Sequence, residues 1–354
     1  MVKGKRILKI STLVIFFLCL TFYGLVNAKP FLAPITTAAI LALLMLPLSR
    51  KLEKNGMNRN LSSIINTLIL FLVSLGFFAL FSLQIKNFIQ DWPQIQEAMR
   101  PKVEQLKTFA FSHTSLKKED LNSSEGFGLP LLRKGSAGTR AANFFSGFIG
   151  FMGTYLLTFI YIFFMLNYRK RFWIFLLSLF PEENKKNVKR TIKESAQIAP
   201  AYLIGKLLLM AGLAVVYSIG LGLSGVNNFI LVSVIAALFT LIPYIGNIVG
   251  LAMAMSFGYL TSGETSVLVG VAITFGVAQT IESYVLQPYI VGDKVDLHPF
   301  VIIVIVILGN LVWGTIGMIL AIPVMAILTI ILLHIPALEN FGIFFSKKPQ
   351  KRNE

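Results

Sequence analysis

The chain has almost no cysteine and contains none of the common nucleotide-binding or hydrolase motifs. Its single cysteine, Cys19, lies within an apolar run, which excludes a disulfide framework or a cysteine metal cluster within one chain. The motifs G-x-x-x-x-G-K-[ST], G-x-S-x-G, H-E-x-x-H and C-x-x-C do not occur. We therefore predict that the protein is not an enzyme and requires no cofactor or metal.

Charge is also scarce, and this points to a membrane protein. Only 14% of the 354 residues are charged, whereas 55% are hydrophobic, and the mean hydropathy is +0.74. Soluble domains carry about 25% charged residues. Several apolar runs reach the roughly 20 residues that a helix needs to cross a bilayer. We predict an all-α polytopic membrane protein with six to eight transmembrane helices, for which the lipid bilayer is the main partner.

The few charges are mostly positive, giving a net charge of +16. The basic residues cluster beside apolar runs, as topology signals do, so we predict no nucleic-acid partner. They place the loop at 49–60 and both termini in the cytoplasm. The apolar stretch at 10–26 is read as a retained span, and cleavage of residues 1–28 as a signal peptide is the alternative.

Composition changes along the chain divide it into five regions. Apolar side chains recur every three or four residues between Ile85 and Leu106, which predicts an amphipathic helix outside the cytoplasm. The regions are N-terminal transmembrane helices at 1–83, an extracytoplasmic amphipathic helix and loop at 84–141, a transmembrane helix with cytoplasmic interfacial helices at 142–199, a transport core at 200–345, and a basic cytoplasmic tail at 346–354.

Two apolar segments in the transport core have an unusual length. As straight helices, the stretches at 229–260 and 300–333 would each be about 50 Å long, too long for one span and short for two. The sequences PYIGN and GNLVWGTIG interrupt them near the middle. Broken segments of this kind in corresponding places indicate a transporter binding site, because non-helical backbone at membrane depth needs protein or a water-filled cavity to satisfy it.

The interruptions allow two topologies. Two kinked spans give eight crossings and place the loop at 291–299 outside the cytoplasm. Two re-entrant hairpins give six crossings and place that loop inside. We favour the hairpins.

A carboxylate lies on the conventional span between the two broken segments. Gln279 and Glu282 are three residues apart and therefore face the same side of a helix. A carboxylate in hydrocarbon costs several kcal/mol, so it must be paired, protonated or facing a cavity. Protonation would suit a proton-coupled carrier, whereas the alternative is a structural carboxyl bonded to a backbone carbonyl or near Lys294. His298, which precedes Pro299, is predicted to cap a helix rather than to bind a metal.

The candidate substrate or ion path combines the helix breakers and the polar residues of these segments. It comprises Pro243, Gly246, Asn247, Gln279, Glu282, Gly309, Asn310, Gly314 and Gly317.

Four stretches of the chain resemble the autoinducer-2 exporter family of membrane transporters. They are FWIFLLSLFPEENKKNV at 172–188, PYIGN at 243–247, QTIESYVLQPYIVGDKVDLHP at 279–299 and LGNLVWGTIGMILAIPVMA at 308–326. Five of the path residues match recurrent positions of that family, namely Pro243, Gly246, Glu282, Gly314 and Gly317. The resemblance also implies structural roles for Pro288, Gly292, His298, Pro299 and Pro323. The family usually has proline after its Pro-x-x-Gly turn, whereas this chain has Asn247, which changes the stiffness of the turn.

The resemblance implies a secondary transporter of the bacterial inner (plasma) membrane, but it does not identify the solute. We expect export of a small polar solute or signalling molecule, with coupling to H⁺ or Na⁺ and a homo-oligomer both left open. Other members of the family resemble sodium/proton antiporters, so a cation/proton antiporter is the first alternative. An uncoupled channel-like or structural membrane protein is the alternative from another class.

Overall fold

The structure is a computed structural model that describes residues 2–79, 82, 101, 137–242, 245–291 and 296–347. Within these ranges the chain is helical and forms no β-strand. Seven of the described helices are long and apolar enough to cross a membrane by length and composition. The predicted all-α polytopic membrane protein is thereby confirmed. The amphipathic helix predicted near residues 85–106 lies outside the described residues, apart from Pro101.

The first two helices, α1 (Val2–Asn27) and α2 (Lys29–Lys54), join without a loop. The Ala28 amide donates to the Gly24 carbonyl, and the Leu32 amide donates to the Ala28 carbonyl, so helical hydrogen bonds continue through the junction. The sequence predicts two spans separated at Lys29-Pro30. Pro30 does not interrupt the helix there, because the amides in the first turn of a helix have no hydrogen-bond partner within the helix in any case.

Three helices form an N-terminal bundle: α2, α3 (Arg59–Ala79) and α4 (Ala137–Asn167). Small and aliphatic side chains of α2 and α4 form its core, and Phe71 of α3 packs edge-on against Phe159 of α4 at 5.3 Å. At the basic end of the bundle, Arg169 pairs with Glu53 and donates to Ser49 Oγ at 2.8 Å. The basic loops at 49–60 and 169–171 therefore lie at the same end of the bundle.

A short helix, α5 (Arg169–Ser178), leads to a very long one, α6 (Glu182–Leu223). The sequence predicts that cytoplasmic interfacial helices end at residue 199 and that the transport core begins at residue 200, but one continuous helix of 42 residues crosses that boundary. At 1.5 Å per residue it is about 63 Å long, so its charged start extends beyond a bilayer core of about 30 Å. Pro200 is buried inside it without ending it.

The remaining helices form a core around the C-terminal half of α6. They are α7 (Phe229–Phe239), α8 (Ile245–Ser262), α9 (Thr265–Ile281) with a π-helical extension (Glu282–Val291), α10 (Pro299–Trp313), α11 (Thr315–Leu333) and the short α12 (Glu339–Phe345).

The first broken segment folds back on itself as a hairpin of α7 and α8. A Cβ on Gly246 would lie 1.8 Å from the Phe239 carbonyl oxygen, at the tip of the hairpin. Further along α8, the corresponding position on Gly250 lies 3.3 Å from the Ala236 side chain. Because residue numbers fall in α7 as they rise in α8, the two arms are antiparallel. The break therefore reverses the chain rather than bending one span.

The second broken segment is a tighter hairpin of α10 and α11. Gly314 is the single residue between the helices, with φ +69° and ψ −145°, a conformation that L side chains rarely adopt. Gly309 and Gly317 bring the two backbones together, since a Cβ on Gly317 would lie 2.0 Å from the Gly309 carbonyl oxygen. The glycines of GNLVWGTIG thus permit both the turn and the close packing.

The two hairpins have their open ends at opposite ends of α6. For the first hairpin, a Cβ on Gly258 would contact Val226, which directly follows the C-terminal end of α6. For the second, His334 follows α11 and lies 3.5 Å from Glu194, near the charged start of α6. This is the inverted arrangement that paired broken segments have in transporters.

The segment before α10 is held against the C-terminal part of the chain. The His298 amide donates to the Phe345 carbonyl at 2.8 Å, and Asp296 accepts from the Ser346 hydroxyl and from the Lys347 amide. Residues 296–298 and 345–347 therefore lie on the same side of the molecule.

Candidate functional site

Glu282 begins the π-helical extension of α9 and is buried, with 8% of its surface exposed. A buried carboxylate needs compensating polar groups, because its desolvation is unfavourable by several kcal/mol. The sequence predicts a regular helix through this region. The structure instead changes to wider π-helical turns at the carboxylate, a feature that is frequent at functional sites.

The tip of the first hairpin supplies one polar partner for this carboxylate. Asn247 lies in the first turn of α8, and its Nδ2 donates to Glu282 Oε2 at 3.2 Å and to Gln279 Oε1 at 2.6 Å. The structure thus brings together three residues that the sequence selects as path candidates. Asn247 Oδ1 is buried and makes no hydrogen bond with any residue that the structure describes.

Because Asn247 Oδ1 is available as an acceptor, the site could bind a cation as well as a proton. The side-chain amide can be turned so that its oxygen, rather than its nitrogen, faces Glu282 and Gln279. Three oxygen ligands would then converge, and oxygen is the ligand type that hard cations prefer. In the orientation shown, the amide nitrogen instead stabilises negative charge on Glu282.

Lys206, which sequence reasoning missed, is a basic residue on a helix next to the site. It lies in the apolar part of α6, the helix that packs against the π-helical extension beginning at Glu282. Tyr217, also on α6, is buried and stacks on Phe275 of α9 with the ring centroids 4.5 Å apart. A signal was present in YLIGKLLLMAG, because a lysine within an apolar run of a membrane protein needs a partner.

Helix direction explains how residues of α6 and α9 that are distant in sequence come together. A Cβ on Gly220 would contact Thr274, whereas a Cβ on Gly212 would contact Leu286. Residue numbers therefore fall along α6 as they rise along α9, and the helices are antiparallel. The N-terminus of α8, which carries a partial positive charge, adds to the attraction for an anionic Glu282.

A double-mutant cycle tests the interaction between Lys206 and Glu282. Lys206→Met would remove a positive charge that compensates the Glu282 carboxylate. Glu282→Gln would remove a negative charge that compensates the Lys206 ammonium. We expect each single substitution to lower the thermal unfolding midpoint of the purified protein and the double variant to recover part of the loss. The expected coupling is roughly 0.5–3 kcal/mol. Strictly additive losses would contradict the interaction.

The candidate path residues of the second hairpin lie away from Glu282. Gly309, Gly314 and Gly317 form its tip, which packs at the α1–α2 junction rather than beside Glu282. A Cβ on Gly314 would lie 3.6 Å from Lys29 Nζ, and Trp313 Nε1 donates to the Leu25 carbonyl at 3.0 Å. The exposed Asn310 belongs to the same tip.

The remaining residues selected from the sequence are placed by the helices to which they belong. His298 caps α10 as predicted, with its Nδ1 accepting from the Phe300 amide at 3.3 Å, and Pro299 is the first residue of that helix. Pro323 is fully buried inside α11, whereas Pro288 is exposed within the π-helix. Pro243 and Gly292 lie outside the described residues.

An open groove of about 940 Å³ lies between α6 and α9, on the side of the core where the first hairpin has its open end. Most of its lining is apolar, with Ser224, Glu264 and Thr274 among the polar lining residues. The lining continues along α9 to Ile281, the residue before Glu282.

Comparison with known proteins agrees with this architecture. The model of the AI-2E family transporters matches residues 10–337. The putative transport proteins YueF and YrrI of Bacillus subtilis are 26% and 30% identical to the chain over 174 and 156 residues, which are 49% and 44% of the chain. A putative transport protein of Methanothermobacter thermautotrophicus is 29% identical over 150 residues, 42% of the chain. The matches span 47%, 44% and 44% of the relatives, about half of their length. The family match covers most of the sequence, and the chain therefore belongs to the AI-2E transporter family.

Proposed function

We propose that the protein is a secondary transporter of the bacterial inner membrane that exports a small polar solute and couples its movement to H⁺ or Na⁺ at Glu282. The observation that supports this most directly is the contact between the tip of a broken helix and a buried carboxylate. Asn247 reaches Glu282 and keeps one buried oxygen without a partner among the described residues. Such a site is able to exchange a proton, a cation or a polar solute group.

The charges around Glu282 favour a coupling role over a purely structural one. A structural carboxyl would be saturated by fixed hydrogen bonds, whereas among the residues that the structure describes Glu282 accepts from a single amide donor, at 3.2 Å. Proton binding at Glu282 or cation binding beside it would change the attraction that holds the tip of the first hairpin. Loading of the site would thereby be linked to movement of that hairpin.

The open groove between α6 and α9 supplies a route from this site. It leads from near Ile281 towards Ser224 and Glu264, at the end of α6 opposite its charged start. With the basic ends of the bundle in the cytoplasm, the groove opens on the other side of the membrane. Release through it would be export.

Flux in proteoliposomes tests the proposal. The solute is first identified by comparing metabolites of cells that lack the protein with those of cells that overproduce it. Uphill movement of that solute under an imposed proton or sodium gradient supports coupled transport. Downhill movement alone would favour the uncoupled channel, and Na⁺-dependent proton movement without a solute would favour the cation/proton antiporter.

Single-cysteine labelling tests the proposed re-entrant topology, in a Cys19→Ser background. With both hairpins turning back within the membrane, His298→Cys and Lys347→Cys react with an impermeant thiol reagent only from the cytoplasmic side. Glu264→Cys, which follows the first hairpin, reacts only from the outside. All three positions are exposed in the structure. Labelling of His298→Cys from the outside would contradict the topology.

A further inference from the structure

A second polar site lies at the basic end of the N-terminal bundle, away from Glu282. It is a pocket of about 390 Å³ lined by Arg59, Asn60, Asn167, Tyr168 and Arg171. Three separate parts of the chain contribute, namely the start of α3, the end of α4 and α5. We propose that this pocket binds a phosphate group, carried by the headgroup of an anionic lipid in the cytoplasmic leaflet.

The charge of the pocket is uncompensated. Its lining contains two guanidinium groups and no carboxylate. The acidic residue closest in sequence to Arg59, Glu53, pairs with Arg169, which does not line the pocket. Guanidinium groups match phosphate oxygens in geometry and charge, and the two asparagine amides offer further donors.

One of the arginines has an orphaned donor. Arg59 Nε is buried and makes no hydrogen bond with any residue in the described part of the chain. A buried donor without an acceptor is unfavourable, so an anion in the pocket would relieve that penalty. The Arg171 guanidinium, by contrast, lies over the Tyr168 ring at 5.0 Å from its centroid, which orients it at the rim.

The surface next to the pocket favours a lipid over a soluble phosphate. Ile64 lies one helical turn from Asn60 and is 50% exposed, while Phe164 lies one turn before Tyr168 and is 47% exposed. Both belong to helices that are apolar enough to span a membrane. A headgroup in the pocket would thus leave its acyl chains against apolar side chains. Basic pockets between transmembrane helices on the cytoplasmic side recognise anionic headgroups in this way.

Ligand-induced stabilisation of the purified full-length chain tests the proposal. Dihexanoyl phosphatidylglycerol, the matched phosphatidylcholine and inorganic phosphate are each titrated in a neutral detergent while the unfolding midpoint is measured. We expect phosphatidylglycerol to raise the midpoint and phosphatidylcholine to leave it unchanged. Arg59→Gln and Arg171→Gln should each raise the half-saturating phosphatidylglycerol concentration about tenfold, as loss of a hydrogen bond to a charged group predicts.

The control is Lys170→Gln, which removes one charge from an exposed neighbour that does not line the pocket. It should change the half-saturating concentration less than twofold. Because Arg59 Nε has no partner to lose, Arg59→Gln should not lower the midpoint without lipid. Equal stabilisation by both lipids, or equal weakening by Lys170→Gln, would overturn the site. Inorganic phosphate that matches phosphatidylglycerol in potency would support a phosphate site and identify a soluble phosphate compound as its ligand.

Discussion

Replacing Glu282 with glutamine is expected to abolish ion-coupled transport while leaving the protein folded. Glutamine has nearly the same shape and keeps an oxygen that can accept from Asn247 Nδ2, the bond that measures 3.2 Å in the native protein. It has no charge and no titratable group. Transport that depends on a proton at this position should therefore lose its pH dependence, and cation binding should weaken about tenfold or more.

The measurement uses proteoliposomes that contain a pH-sensitive dye, with the Na⁺ or proton gradient imposed from outside. The solute is the one identified by the metabolite comparison. Glu183→Gln is the matched control, because Glu183 is an exposed carboxylate at the charged start of α6, distant in sequence from the site. Coupled flux with unchanged pH dependence in Glu282→Gln would eliminate the coupling role of this carboxylate, although the protein would stay in the family.

Replacing Gly246 with alanine should have the largest effect on the structure itself. The added Cβ would lie 1.8 Å from the Phe239 carbonyl oxygen and 2.3 Å from the carbonyl carbon, both of which are backbone atoms. No side-chain rotation removes that overlap, so the two arms of the first hairpin must separate. We expect a loss of about 3 kcal/mol or more in stability, at the upper end of overpacking effects.

Thermal unfolding of the purified variant in detergent measures this loss, and Gly276→Ala is the matched control. Gly276 lies in α9, and its Cβ position has no atom within 4 Å, so alanine there should be neutral or mildly stabilising. Because Asn247 is the next residue, Gly246→Ala should also reduce coupled transport. A variant as stable as the native protein would show that the tip of the hairpin is packed differently.

Several features of the site follow from local chemistry, which is why the sequence predicts them. An apolar run interrupted by Pro and Gly cannot continue as a regular helix, so the two breaks are readable without a structure. A histidine before proline at the start of an apolar run is typical of a cap, and His298 caps α10. The burial of Glu282 likewise follows from its position among apolar neighbours.

Other features depend on groups that are distant in the chain. Lys206 and Glu282 lie on neighbouring elements because α6 packs antiparallel to α9 and its π-helical extension, and no local pattern in either helix specifies that alignment. The sequence also predicts that both breaks contribute to one substrate or ion path. In the structure, the first approaches Glu282, whereas Gly314 in the second lies beside Lys29, because the hairpins pack on different neighbours.

Hydropathy, run length and the conformational limits of proline and glycine are enough to identify a helical membrane protein with two interrupted apolar segments and a carboxylate, Glu282, on the span between them. All of these properties are local. The packing of the helices establishes that each interruption reverses the chain and that Asn247 donates to Glu282. A break removes helical hydrogen bonds but does not set the direction of the chain after it; that direction comes from packing between helices that are remote in sequence.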